Sequence, residues 1–107
     1  MKDLNKHISE FLIFAKEERN LSDHTISAYR SDLEKFHNYI SLQKDFVVSE
    51  IGDISTNIIR TFKRNEMNRR ESRKGREKKH ISSKTIAREL ASIKAFFKYI
   101  VQLGVLN

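Results

Sequence analysis

The residues best suited to binding an anionic partner lie on the polar face of a helix predicted near the C-terminus. Lys84 and Arg88 stand one turn apart there, and the residues around them are small: Ala87, Ala91, Ser92 and Ala95. An arginine can donate two parallel hydrogen bonds to guanine or to an anion, and a lysine can meet a phosphate as a point charge. Small neighbours would let a wide anionic surface come close. An α-helix with this combination fits the major groove of DNA.

A second surface of similar character is predicted on an earlier helix. Its outward residues are mostly small or polar, with one lysine: His24, Thr25, Ser27, Ala28, Ser31, Lys35 and Asn38. The N-terminal halves of two such helices could straddle one DNA segment, because helix N-termini also suit phosphate groups. An ordinary explanation competes for each surface, since alanine is the best helix former and most single surface cations are only solvated. The presence of two matching surfaces favours DNA binding.

Most of the positive charge lies in one segment. The chain carries a net charge of +7. Residues 63 to 80 hold nine Lys or Arg against three Glu, whereas basic and acidic residues nearly balance elsewhere. Two interpretations stay open: a solvated flexible connection, or a contact with nucleic-acid phosphates. The charge favours the second, with these residues as candidates: Arg73, Lys74, Arg76, Lys78 and Lys79.

Composition argues against several other kinds of protein. The 107 residues suit one domain, and the lack of cysteine excludes thiol chemistry and fits a reducing, cytoplasmic setting. No stretch has the length and apolar character of a membrane span or a secretory signal. The four histidines are scattered and the three glycines are isolated. We therefore expect no metal site, no cofactor, no small-molecule substrate and no catalytic residue within this chain.

Apolar residues that recur every three or four positions predict an all-α fold of four helices. The helices are expected at about residues 3–19, 22–42, 55–66 and 83–103, with a basic connection over about 66–80. Ser22 and either Ser82 or Ser83 are predicted N-caps, and Gly104 is a predicted C-terminal cap. The expected inner stripe of the first helix is Leu4, Ile8, Phe11, Leu12 and Ala15. The expected inner stripe of the last helix is Ile86, Leu90, Ile93, Phe97 and Ile100. Among the tyrosines, we expect Tyr29 to be buried and Tyr39 and Tyr99 to be partly exposed.

The second and fourth helices share a sequence pattern. Residues 21–40 align without a gap on residues 81–100, with identities at six positions, including a Ser-x-x-Thr-Ile opening in each. Helical periodicity explains the apolar matches but not the matched openings. We interpret the two segments as equivalent units of a cap followed by a helix; the alternative is convergence of two amphipathic helices.

Two stretches resemble one protein family. FLIFAKEERNLSDHTISAYRSDLEKFHNYI (11–40) is similar to the opening of tyrosine recombinases of the Xer and phage-integrase type. The matching residues are Phe11, Leu12, Glu18, Leu21, Ser22, Thr25, Ile26, Tyr29, Arg30, Asp32, Leu33 and Phe36. TIARELASIKAFFKYIVQLGVLN (85–107) resembles the last helix of the same domain. There the matching residues are Arg88, Leu90, Ile93, Lys94, Phe96 and Tyr99.

The resemblance implies a four-helix, SAM-like core-binding domain, which in that family forms half of a C-shaped clamp around a recombination half-site. The second and fourth helices of such a domain lie in the major groove. Carried over by position, the implied DNA contacts are His24, Thr25, Ser27, Ala28, Ser31, Lys84, Thr85, Arg88 and Ser92, with Lys94 on the flank. The partner implied is double-stranded DNA.

The resemblance also implies a larger parent enzyme. The family's catalytic set, including its tyrosine nucleophile, belongs to a C-terminal domain that this chain lacks, so we expect a fragment that ends near an interdomain linker. The parent would cleave DNA through a 3′-phosphotyrosine, without an external cofactor, as a tetramer on two sites. The connection around 66–80 departs from the family because it is longer and more basic than expected.

Two other functions remain open at this point. A stand-alone helical DNA-binding regulator would explain the basic face equally well. A helical domain whose basic connection grips an acidic protein or RNA would explain the charge of residues 63 to 80.

Overall fold

The chain forms a bundle of α-helices. A computed structural model describes residues 2–43, 51–72 and 82–104. The elements are α1 (Lys2–Glu17), α2 (Asp23–Leu42), α3 (Thr56–Ser72) and α4 (Ser83–Gln102), with a short 3₁₀ turn (Ile51–Asp53) before α3. These described ranges contain no strand, so the predicted all-α, four-helix architecture is confirmed. None of their helices has the length and apolar character needed to span a membrane.

The helix α3 runs further than the sequence pattern indicates. We expected it to end near residue 66, where apolar periodicity fades, but it continues to Ser72. The apolar periodicity fades after Phe62 because the next buried residue on that face of α3 is a carboxylate: Glu66 is 1% exposed. Part of the predicted basic connection is therefore helical. The five phosphate-contact candidates, Arg73, Lys74, Arg76, Lys78 and Lys79, lie outside the described residues.

The two matched openings form the same N-cap. Ser22 Oγ accepts a hydrogen bond from the Thr25 backbone N–H (3.2 Å), and Ser82 Oγ accepts one from the Thr85 backbone N–H (3.1 Å). In each cap the serine and threonine hydroxyls are also hydrogen-bonded, at 3.0 and 3.1 Å. The shared Ser-x-x-Thr pattern therefore has a structural cause, since it satisfies helix N–H groups that lack an intrahelical partner.

The helix α4 is followed by the predicted glycine cap. Gly104 has a φ of +82° and its N–H donates to the Val101 carbonyl at 3.0 Å. This left-handed conformation is the one that a glycine adopts without a steric penalty.

The hydrophobic core joins α1, α2 and α4, with α3 closing one side. The predicted α1 stripe is buried as expected: Leu4, Ile8, Phe11, Leu12 and Ala15. Phe11 packs against the rings of Tyr29, Phe96 and Tyr99, with centroids 5.4 to 5.7 Å apart. On the side of α3, the Phe62 ring lies 5.2 Å from that of Phe36 and 5.3 Å from that of Tyr39. Such aromatic pairs contribute about 0.5–1.5 kcal/mol each beyond their buried area.

The buried stripe of α4 differs from the predicted one. Leu90 and Phe97 are only half-buried, whereas the buried set is Ile86, Glu89, Ser92, Ile93, Phe96, Tyr99 and Ile100. The prediction considered only the spacing of apolar residues. It therefore missed two polar residues of α4, Glu89 and Ser92, that are buried. The tyrosine assignments were also wrong: Tyr39 and Tyr99 are buried, and Tyr29 is half-buried. Their rings complete the aromatic packing around Phe11 and Phe62.

Candidate nucleic-acid interface

The predicted contact residues of α2 and α4 divide into three groups by exposure. The exposed members are His24, Ser27, Ser31, Lys84, Arg88 and Lys94. The half-buried members are Thr25, Ala28 and Thr85. Ser92 alone among the predicted contacts is buried, at 1% exposure. The exposed polar and cationic residues are thus accessible to a ligand, whereas Thr25 and Thr85 use their hydroxyls within the caps.

A hydrogen-bonded network ties α2 to α4 at this surface. The Arg88 guanidinium donates to both oxygens of Asp32, from Nε to Oδ2 (3.1 Å) and from Nη2 to Oδ1 (2.6 Å). Asp32 is 1% exposed, so its carboxylate needs such donors to offset the loss of water. The hydrogen bond to Asp32 raises the pKa of Arg88 above its ordinary value, although burial opposes this. Arg88 is therefore a fixed cation joined to both helices of the surface.

Arg88 remains accessible despite this pairing. Its side chain is 52% exposed, and the bonds to Asp32 use only Nε and Nη2. The Nη1 amino group can still donate to an external acceptor. One edge of the guanidinium thus has a structural role, while the other edge is available to a ligand.

Ser92 belongs to the interior side of the same network. Its hydroxyl donates to Asp32 Oδ2 at 2.7 Å. The expectation that Ser92 lies on the outer face of the helix is therefore wrong, because a buried carboxylate on α2 draws this hydroxyl inward. Ser92 supplies the third hydrogen bond that Asp32 accepts, and it leaves the set of surface candidates.

A second buried network joins α2, α3 and α4. Lys35 Nζ donates to Glu89 Oε2 at 2.5 Å and lies 3.4 Å from Glu66 Oε1. Both carboxyl groups are buried, and Lys35 is 34% exposed, so its charge points towards them and not outward as the sequence pattern indicated. Burial raises the pKa of Glu89; the hydrogen bond from Lys35 lowers it and the neighbouring Glu66 carboxyl raises it. This network fixes α3 against the two helices of the candidate surface.

Sequence reasoning missed the buried acidic residues Asp32, Glu66 and Glu89. One signal could have identified the first of them. In the gap-free alignment of residues 21–40 on 81–100, Asp32 falls on Ser92. These two equivalent polar residues contact each other, so a polar pair at matched positions inside two apolar stripes indicated where the helices meet. Glu66 and Glu89 carried no comparable signal.

The fold is a small all-α domain in which two helices with the same N-cap, α2 and α4, are joined by hydrogen bonds of Asp32 with Arg88 and Ser92. Residues 8–104 match the family model described as phage integrase, N-terminal SAM-like domain. This match covers nearly the whole chain, and the protein belongs to that family. The SAM-like, all-α fold that the sequence resemblance implied is therefore confirmed.

Several curated proteins are similar to this chain along almost all of its length. A tyrosine recombinase XerC of Roseiflexus castenholzii is 30% identical over 106 residues, covering 97% of this chain and 29% of the relative. A tyrosine recombinase XerC of Roseiflexus sp. is 33% identical over 101 residues, covering 94% and 28%. A tyrosine recombinase of Agathobacter rectalis is 32% identical over 102 residues, covering 94% and 27%. The chain spans less than a third of the length of these relatives, and no solved structure gives a significant match.

Proposed function

We propose that this chain is a DNA-binding, core-binding domain of a tyrosine recombinase, which clamps one recombination half-site through α2 and α4. The observation that carries the proposal is Arg88, an exposed cation that Asp32 anchors across both helices. An arginine held in this way presents donors in a fixed direction, which suits hydrogen bonding to guanine or a phosphate. The similarity to proteins named tyrosine recombinase supports the same conclusion.

The proposed contacts follow the exposure of each side chain. Arg88 and Lys84 of α4 meet base edges and phosphates, and His24, Ser27 and Ser31 of α2 extend the surface with exposed polar groups. The half-buried residues Thr25, Ala28 and Thr85 allow close approach of the DNA backbone at the helix N-termini, whose N–H groups favour anions. Lys94 lies on the flank of this surface. Arg73, Lys74, Arg76, Lys78 and Lys79 remain predicted phosphate contacts.

The parent protein is expected to resemble the longer tyrosine recombinases to which this chain is similar. A longer chain would carry the catalytic residues and would cleave DNA through a 3′-phosphotyrosine. It would act in the cytoplasm, as a tetramer on two sites and without an external cofactor. In that arrangement the present domain orients DNA and performs no bond cleavage.

Duplex binding by the purified chain tests the proposal. The probe is a fluorescent 30-base-pair duplex of mixed sequence, titrated at about 50 and 200 mM salt and followed by anisotropy. If about five phosphates are neutralised, affinity should fall by about 10²–10³ between these salt concentrations. Selection of bound duplexes from a randomised pool then measures sequence preference.

Arg88→Ala is the decisive variant in that assay. We expect it to lose about 1–3 kcal/mol of binding and to relax the preference of the selected sequences. Lys6→Ala, which removes an exposed cation from α1, is the matched control and should bind normally. Circular dichroism at the assay temperature verifies that each variant is folded. Salt-insensitive binding, or tighter binding of single-stranded RNA, would favour the rival interaction domain, and unchanged selectivity in Arg88→Ala would remove Arg88 from the interface.

A further inference from the structure

An apolar groove lies between α3 and α4, away from the Asp32–Arg88 network. Its volume is about 910 Å³. Its floor is built from Ile59 of α3 and from Leu90, Phe97 and Val101 of α4. Ile59, Leu90 and Phe97 are half-buried, and Val101 is 51% exposed. The described part of the chain therefore leaves the floor of the groove open to solvent. Exposed apolar surface of this kind is typical of an interaction site.

The length and openness of the groove define the shape of its occupant. From Leu90 to Val101 the floor follows α4 for three turns, or about 16 Å at a rise of about 1.5 Å per residue. The groove is bounded by two helices and open to solvent on its third side. A helix laid into such a groove buries an apolar stripe with residues at spacings of three and four.

Basic side chains line both sides of the groove. Arg60 and Lys63 line it from α3, and Lys94 and Lys98 line it from α4. Within the described part of the chain, none of the lining residues is acidic. Long basic side chains can lay their aliphatic stems on an apolar floor and keep the charge at the rim. The complementary surface therefore has an apolar centre and negative charge on both edges.

This combination fits a polypeptide better than DNA. A DNA backbone would satisfy the four cations but would leave the apolar floor without matching surface, since its outer face is made of phosphate and sugar. An amphipathic helix with glutamate or aspartate beside its apolar stripe satisfies both the floor and the rims.

We propose that the groove between α3 and α4 binds an acidic amphipathic helix of a partner protein, about three turns long. Its apolar stripe packs on Leu90, Phe97 and Val101, and its carboxylates pair with Lys94 and Lys98 on one side and with Arg60 and Lys63 on the other. Lys94 lies on the flank of the proposed DNA surface as well as in the groove, but Arg88 does not line the groove, so the inference holds whether or not the chain binds DNA.

A designed peptide tests this inference with the whole chain. The probe is a labelled 14-residue helix with leucines at spacings of three and four and glutamates on both flanks, titrated by fluorescence anisotropy. Two control peptides replace either the glutamates by lysine or the leucines by serine. We expect saturable binding of the acidic probe alone, and amide shifts in NMR spectra that cluster around Leu90, Phe97 and Val101. Equal binding of the lysine peptide, no binding at about 1 mM probe, or shifts elsewhere would overturn the proposal.

Charge-reversal variants separate the groove from general electrostatics. Lys98→Glu should weaken the acidic probe about tenfold, because a like charge then faces the peptide carboxylates. Val101→Asp should weaken binding of the acidic probe by a similar factor, because it places a charge in the apolar floor of the groove. Lys6→Glu makes the same charge change on exposed α1 and should bind the probe as the unchanged chain does. Equal losses of probe affinity in Lys98→Glu and Lys6→Glu would refute binding in the groove. A concentration-dependent dimer that Val101→Asp abolishes would also refute the proposal, because a second copy of the chain would then be the occupant.

Discussion

Replacing Arg88 by alanine should destabilise the fold as well as the proposed interface. The substitution removes two charge-assisted hydrogen bonds, of 3.1 and 2.6 Å, from a carboxylate that is 1% exposed. Breaking a fully buried ion pair costs about 3–5 kcal/mol. Arg88 is 52% exposed, so its removal lets water reach Asp32, and solvent already screens the pair. Ser92 would also remain as a donor. We therefore expect a loss of about 1–3 kcal/mol in the free energy of unfolding.

Urea unfolding followed by circular dichroism at 222 nm measures this loss. The control is Arg30→Ala, which removes an exposed arginine from α2 and should change stability by less than about 0.5 kcal/mol. A cycle with Asp32→Asn adds a second condition: in that background, removal of Arg88 should cost much less, because the buried charge is gone. An Arg88→Ala protein as stable as the unchanged chain, or a full cost that persists with Asp32→Asn, would refute the view that Arg88 neutralises Asp32.

Three further predictions concern the neighbouring residues. Ser92→Ala should lower the free energy of unfolding by about 1–3 kcal/mol, since a buried carboxylate loses a 2.7 Å hydrogen bond. At a temperature where the variant is folded it should bind duplex DNA normally, and a large loss of affinity would return Ser92 to the interface. Lys84→Ala should weaken duplex binding similarly for all sequences and reduce the slope of log affinity against log salt by about 1; an unchanged slope would argue against a phosphate contact. Because the pKa of Glu89 is raised above its ordinary 4.5, its contribution to stability is greatest below that pH and declines as pH rises through the raised value. Glu89→Gln should remove this decline in urea unfolding series from about pH 4 to 8, and an identical pH profile in both proteins would contradict it.

Much of the fold could be predicted from the sequence because its helices obey simple local rules. The α1 stripe, the serine N-caps and Gly104 each depend on residues within one helix, where spacing and cap chemistry decide the outcome. The α4 stripe was misassigned where local rules do not apply. Glu89 and Ser92 are buried because each forms a hydrogen bond with a residue of α2, Glu89 with Lys35 and Ser92 with Asp32. The apolar pattern of α3 fades after Phe62 for the same reason, since the buried residue Glu66 pairs with Lys35 of α2. Apart from the matched pair Asp32 and Ser92, these contacts between helices leave no signal in the periodicity of either helix.

The candidate surface shows the same division. Exposure of His24, Ser27, Ser31, Lys84 and Arg88 follows from helix periodicity, and the structure agrees. The sequence could not indicate that Arg88 is shared between an internal carboxylate and the solvent, because the Asp32 carboxylate comes from a helix 56 residues away in sequence. A single arginine on a polar face is equally consistent with either role until its partner is located.

The pairing of Arg88 with Asp32 has a consequence for the entropy of binding. An unrestrained arginine side chain loses about 2 kcal/mol of rotamer freedom when a ligand immobilises it. Here the guanidinium is already held by α2 when the chain has folded, so most of that loss precedes any encounter. A surface organised in this way does not adapt its shape to each target. It selects ligands whose acceptors match a direction that the bundle has already set.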